Sequence, residues 1–108
     1  MKLFRAVGEK EFRLIQQNGF KSFPARMPGR LKMNLAPDKE YAMQIALKRN
    51  TEDRRNYILE FEADDNYIFW FGTKTADGHQ EYNIPAEQID EFNSHITGLI
   101  SVAGVFER

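Results

Sequence analysis

The side chains able to do chemistry are few. The chain holds no cysteine and two histidines, His79 and His95, which excludes thiol nucleophiles, disulfide frameworks, cysteine zinc sites and histidine-rich metal centres. Carboxylates, guanidinium groups and an imidazole remain. Strand alternation over 79–84 sets His79, Glu81 and Asn83 on one face and Gln80, Tyr82 and Ile84 on the other. A glutamate in that position could stabilise an oxocarbenium-like centre or accept a hydrogen bond from a ribose hydroxyl. The imidazole two residues earlier could orient it or donate to a substrate. A solvated strand face is the simpler account of the same triplet. Arg5 lies mid-strand between Leu3 and Val7. Burying its charge unpaired is too costly, so it either snorkels at a sheet edge or meets a partner. As a functional group it could clamp phosphate or carboxylate with two parallel hydrogen bonds.

The elements that must position these groups follow from periodicity. Residues 2–7 alternate as a strand, and Gly8 opens a helix with Glu9 and Glu11 in its first turn, Phe12 and Ile15 on its apolar stripe and Asn18-Gly19 as its stop. Pro24, Pro28 and Gly29 break the next stretch, and Leu31–Leu35 reads as a short strand. Pro37 suits the first turn of a second helix, with Tyr41, Ala42, Ile45 and Ala46 on its buried face. That helix runs to Arg49 and gives way to a polar loop over 50–55. Asn56–Ala63 alternates as a strand, Asp64-Asp65-Asn66 is a turn, and Tyr67–Thr73 reads as a strand covered on both sides. Its aromatic residues Tyr67, Phe69, Trp70 and Phe71 are expected in the core. Asp77-Gly78 signals a hairpin into His79–Ile84. Pro85 begins a third helix carrying Ile89, Phe92 and Ile96, ended by Gly98, and Leu99–Phe106 closes the chain as a strand. The order β-α-(β)-α-β-β-β-α-β implies an α+β domain over 1–108 with a mostly antiparallel sheet and about three helices.

Net charge is −1, but residues 1–55 hold 13 Lys and Arg against 6 Asp and Glu, while residues 56–108 hold 2 against 10. Mutual attraction of the halves, within one fold or across a homodimer, accounts for this most simply. A nucleic-acid surface would need exposed aromatics on the basic segment, and Phe4, Phe12, Phe20, Phe23 and Tyr41 fall mostly at core-like spacings, so nucleic acid ranks low among partners. Glu60 and Glu62 share a strand face and Asp64 and Asp65 a turn; solvation explains both pairs, and no metal is expected. No apolar run approaches the ~20 residues of a membrane span. The first fifteen residues are too charged for a signal peptide, and the expected location is the cytoplasm. No glycine-rich phosphate loop follows a strand.

Several segments together resemble a known family: Leu3-Phe4-Arg5, Gly19-Phe20-Lys21-Ser22-Phe23-Pro24-Ala25-Arg26, Tyr41-Ala42 with Ile45-Ala46, His79-Gln80-Glu81-Tyr82-Asn83-Ile84-Pro85-Ala86-Glu87, Glu91-Phe92-Asn93 and His95-Ile96 with Gly98. The chain is similar to the small bacterial proteins labelled ADP-ribosylation/crystallin J. The ADP-ribosylglycohydrolases that share this label are larger, all-helical enzymes with an acidic magnesium site, and the composition here does not match them. The resemblance instead implies the ADP-ribosyltransferase-like fold, a split antiparallel sheet with NAD in its cleft. There an early-strand Arg or His grips the dinucleotide and a late-strand Glu serves the transfer. Arg5 and Glu81 match those positions, with His79 two residues before the glutamate. The family's middle motif, Ser-Thr-Ser or an aromatic, is absent from Leu31–Leu35, and Tyr41 is its nearest substitute. By this resemblance Glu81 and His79 are catalytic candidates, and Arg5, Arg26 and Tyr41 would bind NAD as a substrate, ADP-ribose or another nucleotide. The competing reading is a non-enzymatic interaction module, including a homodimer.

Overall fold

The computed structural model describes residues 1–25, 27–48, 55–76 and 78–107. In chain order the elements are β1 (Lys2–Val7), α1 (Glu9–Gln17), β2 (Lys32–Leu35), α2 (Lys39–Lys48), β3 (Arg55–Ala63), α3 (Asp65–Phe71), β4 (Lys74–Ala76), β5 (His79–Pro85), a 3-10 turn (Ala86–Gln88), α4 (Ile89–Asn93) and β6 (Ile96–Glu107). The class is α+β. Two antiparallel sheets form, ordered β1-β3-β6 and β2-β5-β4. Reciprocal backbone hydrogen bonds of 2.8 Å between Phe4 and Ala36 join β1 to β2 at a single bridge. Beyond it the strands part, so two three-stranded sheets form where the element order implied one mostly antiparallel sheet.

Both faces of this layer are buried because apolar residues occupy both phases of its central strands. On one face Leu3, Val7, Leu35, Leu59, Phe61, Tyr82 and Ile84 pack with Ile15 of α1, Ile68 of α3 and Phe92 of α4. On the other, Phe4, Ala6, Ala36 and Ile58 meet Tyr41, Ala42 and Ala46 of α2. Helix α2 starts later than Pro37 suggested: the Asp38 carboxylate accepts the Tyr41 amide at 2.7 Å, which makes Asp38 the cap and leaves the proline outside. The Asn18-Gly19 stop stands, with Gly19 at φ +78°. The helix end assigned to Arg49 and residues 50–54 of the expected loop lie outside the described residues, while Arg55, assigned to that loop, begins β3.

Three local expectations fail. Tyr67–Thr73 is not a strand: Asp64 accepts the Asn66 amide through its side chain and the Ile68 amide through its carbonyl, and helix α3 follows. Tyr67 and Phe71 then meet edge-on at i, i+4 with centroids 5.2 Å apart, and Ile68 alone of the helix is fully buried. Phe69 and Trp70 are accordingly exposed, not core. Pro85 ends β5, and α4 starts only at Ile89. Gly98 does not end that helix; it sits inside β6 at φ +77°. The Asp77-Gly78 hairpin forms, with Ala76 opposite His79 and a short strand, β4, on its first arm; Asp77 itself lies outside the described residues.

Candidate functional site

Arg5 meets a partner. Its Nε donates to Glu11 Oε2 and its Nη2 to Glu11 Oε1, both at 2.9 Å, and its Nη1 donates to the Asn34 backbone carbonyl at 2.9 Å. Arg5 and Glu11 are both buried. Arg30 reaches the same carboxylate, donating to Glu11 Oε1, and its Nη1 donates to the Pro24 carbonyl at 3.0 Å. A Met27–Arg30 turn presents it, with Gly29 at φ +74° where a type II turn requires a positive value. Burial alone would raise the Glu11 pKa; the guanidinium groups of Arg5 and Arg30 outweigh it and hold the carboxyl below its ordinary value.

Where β1 and β2 part, a cleft of about 510 Å³ opens. Arg5, Lys10, Arg30 and Lys32 line it against one carboxylate, Glu11, and Phe4, Met27 and Ile45 give it an apolar wall. Lys10 and Lys32 are exposed and form no ion pair among the described residues. An anion entering here would find two solvated ammonium groups beside a fixed guanidinium pair.

A second polar group lies beneath α2. The Tyr41 hydroxyl donates to Glu81 Oε2 at 2.9 Å, and Asn83 Nδ2 approaches Oε1 at 3.4 Å. The His79 ring stacks on Tyr41, centroids 4.4 Å apart and planes within 12°. Glu81 is buried with no cationic partner among the described residues. Asn34 opposes Asn83 in register, and each keeps a buried amide oxygen without a hydrogen-bond partner.

The fold thus brings Tyr41, His79 and Glu81 together across 40 residues of chain. It does not bring Arg5 to them. Arg5 shares the strand face of Leu3 and Val7, whereas Glu81 faces Tyr41 on the α2 side, and neither Tyr41, His79 nor Glu81 lines the cationic cleft. Arg26 lies outside the described residues. The residues that the sequence did not single out are Lys10, Lys32 and Arg30. Only the Pro28-Gly29 turn hinted that the loop carrying Arg30 would fold back toward β1. No family model, curated protein or solved structure matches the chain. No helix among the described residues is long and apolar enough to cross a membrane.

Proposed function

We propose that the protein binds a phosphate-bearing ligand of the nucleotide class in the cleft between β1 and β2. The observation that carries this reading is the lining of that cleft: among the described residues, four cationic residues to one carboxylate, together with the apolar Phe4, Met27 and Ile45. Phosphate oxygens suit the cations, and a base or ribose suits the wall. The volume, about 510 Å³, is that of an ordinary small-ligand site. NAD and ADP-ribose, the ligands that the family resemblance implies, belong to this class. Binding, not transfer, is what we propose, because transfer in the resembling fold needs Arg5 and Glu81 at one ligand.

Thermal unfolding with ADP-ribose, NAD, ADP, pyrophosphate and unphosphorylated adenosine tests it. A ligand at ~100 times its dissociation constant adds roughly 2.7 kcal/mol, several degrees for a domain of this size. The phosphate-bearing ligands should raise the midpoint, less so at high salt, and adenosine should not. The Lys10→Ala/Lys32→Ala double variant should keep its unliganded midpoint and lose the shift. No shift with any ligand, or an undiminished shift in the double variant, overturns the proposal.

One observation favours the interaction-module reading as a second. Strand β6 is a twelve-residue sheet edge with Leu99, Val102 and Val105 exposed and Glu107 its only charge. Proteins usually guard such edges with Lys or Pro, and a second copy paired antiparallel to β6 would cover this one. Sedimentation should then show a dimer that Val105→Lys dissociates; a monomer at high concentration removes this reading.

A further inference from the structure

A second cavity, of about 530 Å³, lies away from the cationic cleft, between α3 and the α4–β6 junction. Its walls are aromatic. Tyr67, Trp70 and Phe71 line it, and His95 stacks flat on Tyr67 with centroids 3.6 Å apart and planes within 6°. Trp70 is 81% exposed, a large ring held at the rim with no packing role to explain it. The charged groups here are of the opposite sign to those of the first cleft: Asp64 and Glu91 line the cavity, and among the described residues neither Lys nor Arg does. Asp64 lies 3.9 Å from His95 Nδ1 and caps α3. Glu91 is exposed and has no ion-pair partner among the described residues. The Tyr67 hydroxyl is buried without a hydrogen-bond partner.

The geometry points to a binding site for an organic cation, specifically an alkylated ammonium group on the exposed Trp70 ring, in the cavity that Tyr67 and Phe71 also line, and neutralised by Glu91. Aromatic rings present negative faces, and weakly hydrated methylated ammonium ions are the cations that gain most from them, since little solvation is lost on entry. A carboxylate at the rim supplies the remaining attraction and disfavours anions. Burial, and the charge of Glu91 nearby, raise the pKa of the Tyr67 phenol, which agrees with a partly desolvated, electronegative cavity. An apolar ligand would gain from the rings and nothing from Glu91. The same trimethylammonium chemistry occurs on free choline-type molecules and on the methylated lysine of a polypeptide, and the site as described would accept either.

Trp70 is the only tryptophan in the chain, so its fluorescence reports on this cavity alone. The intact protein should be titrated with choline, with its uncharged isostere 3,3-dimethylbutan-1-ol, and with a short peptide bearing trimethyllysine or unmodified lysine. Saturable change with choline or the trimethyllysine peptide, and none with the isostere over the same range, is the expected result. Response to both points to a free ligand sufficing; response to the peptide alone assigns the cation to a polypeptide. Glu91→Gln, at an exposed position, should fold normally by its melting temperature and weaken binding about threefold to fivefold, the effect of one surface charge pair. An equal response to the uncharged isostere, no response to either cation, or unchanged affinity in Glu91→Gln overturns the proposal.

Discussion

Glu11→Gln tests whether the cluster beside the cleft is structural. The substitution preserves shape and removes one charge, leaving the buried Arg5 guanidinium without the carboxylate it grips. Glu11 is 4% exposed and Arg5 7%, so solvent relieves little of the imbalance. Removing one partner of a buried pair costs about 3–5 kcal/mol, and two 2.9 Å charge-assisted bonds to Arg5 are involved, besides the contact with Arg30. In a domain of this size the midpoint should fall by more than about 10 °C. Chemical denaturation at neutral pH is the assay, with Glu9→Gln as control. Glu9 is only partly buried and pairs with Arg13 at 3.8 Å, a contact worth about 0.3–0.5 kcal/mol on a helix surface. The pH dependence gives a second, independent check. The folded pKa of Glu11 is depressed, so its contribution is present above the unfolded value, about 4.3, and is lost as pH falls through the folded one. The gap between wild type and Glu11→Gln should therefore close in acid. A loss below about 1 kcal/mol at neutral pH, or a gap that persists in acid, refutes the assignment of Glu11 as the counter-ion of the buried Arg5.

Tyr41→Phe removes the better of two donors to the buried Glu81 carboxylate and should cost about 1–3 kcal/mol by urea denaturation; a cost under about 0.5 kcal/mol would mean that water replaces the hydroxyl freely. Phe92→Ala, at a fully buried position touching Phe61 and Tyr67, should lose about 3–5 kcal/mol, whereas Phe69→Ala, 60% exposed, should stay within about 0.5 kcal/mol. Equal effects would contradict the exposure of Phe69 beside Trp70, two adjacent exposed rings that the helical course of α3 allows and strand alternation would not. Gly98→Ala should destabilise by about 1 kcal/mol, because φ is +77° there although space for a methyl group is open; a stabilised variant would mean that the turn is not left-handed in solution.

Legibility in the sequence tracked how local the deciding interaction was. The face of α2 could be read from Tyr41, Ala42, Ile45 and Ala46 because one period and one buried side are involved. Strand β1 was equally plain, and so was the conclusion that its arginine needs a partner. Naming Glu11 as that partner was out of reach: it depends on the angle at which α1 leaves β1 and on a turn that returns Arg30 to the same carboxylate. The aromatic run at 67–71 fits a two-sided strand and a helix equally, and the Asp64 cap decides between them. Tyr41 and Glu81 were each singled out, but a contact spanning 40 residues follows from the β2–β5 pairing and the placing of α2 across it. The cationic cleft had the weakest signature of all. It exists because the backbones of β1 and β2 are bridged at Phe4 and Ala36 and part beyond them, and no periodicity encodes that.

The charge imbalance between the two halves of the chain is where these threads meet. Attraction between the halves is real: Lys2 lies 3.8 Å from Glu60, Arg55 pairs with Glu107, and the N-terminal ammonium pairs with Asp65. The side-chain pairs among them are exposed, and such pairs contribute about 0–1 kcal/mol each, less in salt. Stability therefore explains little of the asymmetry. Position explains more. Arg5, Lys10, Arg30 and Lys32 come from the basic half and line one cleft, while Asp64 and Glu91 come from the acidic half and line the other. Segregation along the chain has become segregation between two cavities that share no lining residue. If the imbalance served only to hold the halves together, Lys10, Lys32 and Glu91 should have been drawn into cross-half pairs. Each instead lies at a cavity without an ion-pair partner among the described residues, which is the arrangement expected when charge is kept for ligands of opposite sign.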